Sequence, residues 1–340
     1  QKATQERYSP AGMAGALLSF VSATTIATCQ IAAGGLYREG AAEPRIAMTA
    51  PIQPRRSVLY MPGSNPRALS KARALPADAL IFDLEDAVAP DAKEGARAIV
   101  AAALGAGGYR PRELVLRVNP LDTLLGHGDL AAAATLPVDA VLLPKVETAE
   151  RVRLTLELLD SLGAPPELDL WCMLETPKGI LAAAEIAGAS PRIAALVLGT
   201  ADLAKELHAG ATRDRLPLLT ALGLVLLAGR ACGLAVLDGV ELDLGDDDGF
   251  AAACRQGRDL GFDGKTLIHP KQIAAANAAF APGPDEVAAA RQIIAAHAEA
   301  VAGGKGIALV AGRLVESLHV EEARRVVALA AAIAARETPA

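Results

Sequence analysis

The chain has 340 residues, 52% of them hydrophobic and 21% charged, with a net charge of −6. That is enough apolar sequence for a sizeable core and too much for a disordered chain. The acidic balance excludes a broad basic footprint for nucleic acid, and 3% aromatic residues leave no stacking platform for single strands.

Residues 8–37 carry no charge but are rich in Ser, Thr, Gly and Ala, with Pro10 and Gln30 inside the stretch, so their hydrophobicity is weak for a membrane span. Residues 1–50 are read as an extension outside the fold, with Met48 as the candidate native start. The four cysteines (Cys29, Cys172, Cys232, Cys254) form no CxxC pair, which fits core packing in a reducing cytoplasm.

From Arg55 onward, short apolar runs recur, each followed by a loop and a helical stretch. They are SVLYM (57–61), ALIFD (79–83), LVLRV (114–118), AVLLP (140–144), LWCML (170–174), ALVLG (195–199), LAVLD (234–238) and KTLIH (265–269). Continuous rather than alternating hydrophobicity suits strands of a parallel sheet covered on both faces. Helices are predicted between them, at 91–103, 149–162 and 216–232 among others. Eight strand–helix repeats predict a (β/α)₈ barrel over 55–281, with an open doubly wound sheet as the rival. Beyond the Pro282-Gly283-Pro284 break, a C-terminal lid or oligomerisation segment (282–340) is expected: a helix at 285–302, a hairpin at 305–315 and a last helix at 321–335.

Polar residues close these strands with regularity. Arg117, Lys145 and Glu175 end the third to fifth, Asp202 follows the sixth, and Asp238 and His269 close the last two. In a barrel these ends share one face, where active sites lie. For any one of them, capping a helix or forming a rim ion pair is an even alternative; their convergence favours a site. Glu175 and Asp202 are the candidate metal ligands. Carboxylates without His or Cys neighbours suit Mg²⁺, and the five histidines show no zinc spacing. Arg117 is placed to clamp an anionic substrate through two hydrogen bonds. GFDGKT (261–266) ends like a phosphate-binding loop, but Asp259 stands where that loop requires its first glycine.

As an ordered set, RSVLYMPGSNPRALSKA, LIFDLEDAVAPDAK, LRVNPLDT, LLPKVET, LETPKG, LGTADLAKEL, LDGVELD and GFDGKTLIHPKQI resemble the citrate lyase β-subunit-like branch of the HpcH/HpaI aldolase superfamily. Within it the sequence is most similar to malyl-CoA/β-methylmalyl-CoA lyases and (3S)-malyl-CoA thioesterases. The resemblance implies a (β/α)₈ barrel, Mg²⁺ and a 3-hydroxyacyl-CoA substrate, with coenzyme A as part of that substrate. It implies Glu175 and Asp202 as metal ligands and Arg117 as the substrate-carboxylate arginine. Lys71 matches a phosphate-contacting lysine and Tyr60 an aromatic that packs on the cofactor. Asn65 stands where relatives carry arginine, with Arg67 two residues later. In the tail, GRLVESLH puts Glu316 where the lyases carry an aspartate supplied to a neighbouring subunit. Glutamate there resembles the thioesterase-like subset and is the candidate acid/base. A homotrimer or homohexamer is implied.

The expected activity is cleavage or formation of a carbon–carbon bond in a malyl-, β-methylmalyl- or citramalyl-CoA-like thioester. Hydrolysis to malate and coenzyme A is the alternative, and a non-catalytic acyl-CoA-binding subunit the third. The acids of LIFDLEDAV divide in this reading. Glu85 and Asp86 orient metal waters and the cationic clamp from behind the ligands, and Asp83 braces the loop.

Overall fold

The computed structural model describes residues 52–337; the expectation for residues 1–50 lies outside the described residues. Eight parallel strands close into a barrel in chain order, each paired with the next and β8 with β1. They are β1 (Ser57–Pro62), β2 (Ala79–Asp83), β3 (Glu113–Arg117), β4 (Ala140–Leu143), β5 (Asp169–Leu174), β6 (Ile193–Leu198), β7 (Ala235–Asp238) and β8 (Gly264–Leu267). The open-sheet rival is thereby excluded.

Helices cover the outside: α1 (Pro66–Ala72), α2 (Lys93–Gly105), α3 (Leu124–Ala133), α4 (Ala149–Ser161), α5 (Pro177–Leu181), α6 (Ala183–Ala187), α7 (Thr200–Glu206), α8 (Leu219–Ala231), α9 (Asp247–Leu260) and α10 (Ile273–Phe280). Several start on a side chain that accepts an otherwise orphaned backbone N–H. Thr123, Thr148 and Thr176 do so at α3, α4 and α5, and Asp246 at α9. The helices predicted at 91–103 and 216–232 open instead with one 3₁₀ turn each, at Pro90–Ala92 and Leu216–Leu218. A proline at each opening suits a first turn, where its missing N–H costs nothing.

The core has two shells. Inside the barrel, Val58, Tyr60, Ile81, Trp171, Met173 and Leu237 pack against the small side chains of Ala79, Ala140 and Ala195. Outside it, alternate strand residues meet the helices in one continuous apolar layer. This two-faced burial is the physical reason the strands read as unbroken apolar runs. Closure is tight where β8 meets β1. A Cβ on Gly264 would stand 1.8 Å from the Arg55 carbonyl oxygen. Gly264→Ala is therefore expected to cost about 1–3 kcal/mol of stability, measured as a lowered denaturation midpoint at unchanged slope.

The tail forms α11 (Pro284–Ala302), a two-stranded hairpin β9–β10 (Ala308–Val310, Arg313–Val315) and α12 (Ser317–Glu337). The last helix begins four residues earlier than the pattern predicts, directly behind the hairpin. Barrel and tail belong to one compact unit. Nor does the tail cover the C-terminal face of its own barrel. Arg336 donates to the carbonyls of Pro54 and Asp78, and Glu337 approaches Arg56 at 3.5 Å, all at the opposite, N-terminal end. Ala308 and Val315 of the hairpin pack with Val320 of α12 and against α11, while Leu309 and Leu314 of the hairpin and Leu318 of α12 stay exposed. Among the described residues no helix is long and apolar enough to cross a membrane.

Candidate active site

The C-terminal ends of β2 to β6 converge on a group of carboxylates and cations. Asp83 and Arg117 are register partners at the ends of β2 and β3. Arg117 Nε donates to Asp83 Oδ1 at 2.7 Å and Nη2 to Oδ2 at 2.5 Å, a two-pronged pair with both residues buried. Asp83 also accepts the backbone N–H groups of Glu85 and Ala87, so it folds the loop that follows β2. The third nitrogen, Nη1, lies 2.9 Å from Glu85 Oε2 and 3.6 Å from Asp86 Oδ2. The expectation of an open guanidinium fork is thus corrected. Two of its nitrogens are held by Asp83, and only the Nη1 edge faces the other acids.

Tyr60 lies beneath this arginine, with the guanidinium carbon 4.7 Å from the ring centroid. Its hydroxyl donates to Met173 Sδ at 3.7 Å. It is 9% exposed, so it forms the floor of the site rather than an open surface for a cofactor to pack on. Burial pushes its phenol up, which keeps it protonated.

Glu85 is buried and shared between two cations: Oε2 faces Arg117, and Oε1 accepts from Lys145 Nζ at 3.0 Å. Burial raises its pKa; the Arg117 charge opposes that rise and Asp86 adds to it. Asp86 itself is exposed. Lys145 follows β4 with φ +50°, a left-handed conformation uncommon outside glycine. Its N–H donates to Glu175 Oε1 at 2.8 Å.

Glu175 directly follows β5 with no solvent exposure, and its Oε2 has no hydrogen-bond partner among the described residues. Burial pushes its carboxyl up to about 7, against the Lys145 N–H and charge, with Glu85 and Asp202 adding to the rise. The neighbouring strand makes room for it at Gly199, where a Cβ would stand 2.4 Å from Oε2. Asp202 sits in the first turn of α7, half-buried, and its carboxylate makes no hydrogen bond or ion pair among the described residues. A buried carboxylate oxygen with no donor is costly unless a cation reaches it. No cluster of three or more metal-ligating side chains occurs among the described residues. The unpartnered Glu175 Oε2, with the Asp202 carboxylate near enough to raise its pKa, suits a hard cation such as Mg²⁺, which takes one or two carboxylates and keeps waters elsewhere.

The other strand-end residues fall away from the site. Asp238 faces outward and is buried between Arg215 and Lys265, at 2.7 Å and 2.9 Å. His269 accepts the Lys271 N–H through Nδ1, capping the 3₁₀ turn after β8. Asn65 caps α1, its Oδ1 accepting from Ala68 N at 3.0 Å. Arg67 and Lys71 lie one turn apart on exposed positions of α1, without a carboxylate partner among the described residues. Glu316 is joined to this group by no contact among the described residues; it lies in the tail, where its N–H donates to His319 Nδ1. In the sequence Lys145 stands among the strand-end polar residues that converge on a site, with no chemical role of its own. LLPKVET shows a lysine behind a strand, but its left-handed backbone is visible only in three dimensions.

The profile of the HpcH/HpaI aldolase/citrate lyase family matches residues 56–270, which contain all eight barrel strands. The chain belongs to this enzyme family. It is 50% identical over 288 residues to a (3S)-malyl-CoA thioesterase of Cereibacter sphaeroides, covering 85% of this chain and 99% of that protein. It is 37% identical over 281 residues to citrate lyase subunit beta of Leuconostoc mesenteroides, covering 81% and 93%. Among solved structures, CitE of Mycobacterium tuberculosis in complex with magnesium, acetoacetate and coenzyme A is 30% identical. It has a TM-score of 0.65 and covers 84% of this chain and 99% of that one. The family excludes neither a lyase nor a hydrolase chemistry at this site.

Proposed function

We propose that this family member is a Mg²⁺-dependent thioesterase that hydrolyses a malyl-CoA-type thioester to the free hydroxy acid and coenzyme A. The observation that carries this reading is the 50% identity, nearly end to end, with a (3S)-malyl-CoA thioesterase, against 37% with a citrate lyase subunit. It takes precedence over the carbon–carbon lyase expected first from the sequence. Glu316, in place of the lyases' aspartate, points the same way.

Glu175 and Asp202 would hold the cation: Glu175 Oε2 is buried without a donor, its Oε1 being taken by the Lys145 N–H, and the Asp202 carboxylate has no partner among the described residues. Bound there, Mg²⁺ supplies Lewis-acid polarisation of an acyl oxygen. The rest of the chemistry belongs to the chain. Arg117 attracts the acyl carboxylate along its Nη1 edge, with its orientation fixed by Asp83 below and Tyr60 beneath the ring plane. Glu85 and Asp86 keep that arginine and Lys145 in place. Arg67 and Lys71 on α1 offer charge to the cofactor's phosphates. Glu316, presented by the tail of a neighbouring subunit, takes a proton from water as its oxygen bonds to the thioester carbon. The carbon–sulfur bond then breaks, and that proton passes to the coenzyme A sulfur. The exposed Leu309 and Leu314 of the hairpin, with Leu318 at the start of α12, give the tail an apolar surface to seat on such a neighbour, in a homotrimer or homohexamer.

Product analysis tests the reading. Purified protein with Mg²⁺ and malyl-CoA is expected to release malate and free coenzyme A in equal amounts, and Glu316→Gln to slow this by about 10²–10⁴-fold. Glyoxylate with acetyl-CoA as the products would instead establish the lyase.

A further inference from the structure

Lys145 touches two acids of the site by two different parts of itself. Its backbone N–H holds Glu175 Oε1 at 2.8 Å, and its ammonium holds Glu85 Oε1 at 3.0 Å. The N–H points at Glu175 because the residue sits at φ +50°, a conformation that glycine adopts freely and other residues adopt at a cost. Lysine in that position is backbone strain located at a carboxylate, and such strain persists only where surrounding contacts hold it. The consequence is visible on Glu175. One oxygen is occupied by the N–H, and the other lies beside Gly199, at the entrance to the helix that carries Asp202, without a partner.

We infer that Lys145 is a positioning residue of the cation site, and that its left-handed backbone, not its ammonium, sets Glu175 to bind through one oxygen. The inference rests on Glu175 and Asp202 being the Mg²⁺ ligands. Groups that hold a ligand from behind change metal affinity by about 10–100-fold when they are lost. The ammonium instead adds a positive charge near the incoming cation, and Glu85 already keeps it turned aside.

Titration calorimetry of the metal-free full-length protein with MgCl₂ separates the two parts. Lys145→Gly keeps the left-handed turn and its N–H and is expected to bind Mg²⁺ within about threefold of the parent. Lys145→Val, whose branched side chain resists φ above zero, is expected to bind about 10–100-fold more weakly. If the valine variant does not fold, Lys145→Ala takes its place, with the same ordering against glycine. Equal affinity for the glycine and valine (or alanine) variants overturns the inference. So does a loss of tenfold or more in the glycine variant, which would assign the role to the ammonium. A parent protein that takes up no Mg²⁺ overturns the metal reading itself, a result distinct from either.

Discussion

Glu175→Gln is expected to abolish Mg²⁺-dependent turnover, by about 10³-fold or more, while leaving the metal-free protein at least as stable as its parent. The two effects have one cause. Glu175 is fully buried with Oε2 unpartnered, and its carboxyl is pushed up to about 7, first by burial and then by Glu85 and Asp202. A carboxyl whose folded pKa is raised binds more protons folded than unfolded between its ordinary range and about 7. Folding stability therefore falls as pH rises through that window. The amide cannot ionise, so the variant lacks that slope. Thermal melts of the metal-free proteins from pH 5 to 8 check it: the parent should lose stability with rising pH relative to Glu175→Gln. Mg²⁺ should raise the melting temperature of the parent only. Equal Mg²⁺ stabilisation of both proteins would remove Glu175 from the cation site.

Arg117→Ala is expected to cost about 3–5 kcal/mol of folding stability, besides its loss of function. The cost comes from the partner left behind. Asp83 is fully buried and receives two of the three guanidinium nitrogens, so truncation strands its charge behind β2. Arg117→Lys does not rescue this, since a single ammonium cannot match the two carboxylate oxygens and lies poorly over the Tyr60 ring. Chemical denaturation of Arg117→Ala, Asp83→Ala and the double variant checks the reasoning. The double variant should be far less unstable than the sum of the singles, because the stranded charge is gone. Strict additivity would mean that the pair does not act as a unit.

Sequence order alone carried the barrel. Eight apolar runs at strand length, separated by helical stretches, leave few parallel architectures, and all eight strands form where the runs lie. The same regularity marked Arg117, Glu175 and Asp202, because residues that follow a barrel strand emerge at one end whatever their side chains do. The pattern does not say which way a strand-end side chain turns. Asp238 has the same address as Glu175, yet it faces out to Arg215 and Lys265 because Gly257 on α9 leaves the space for it.

What the amino-acid order determined, then, is the address of each polar group: a strand end is set by hydrophobic periodicity, a local property. Partnership was decided only by the closed barrel. It joined Asp83 to Arg117 across a register, turned Lys145 left-handed against Glu175, and left one carboxylate oxygen buried without a donor. Those contacts link residues tens of positions apart, over distances at which neither propensity nor spacing carries information. The tail follows the same division. Its helices and hairpin are written in the sequence, but its place under the barrel's opposite end depends on Arg336 and Glu337 meeting Pro54, Asp78 and Arg56.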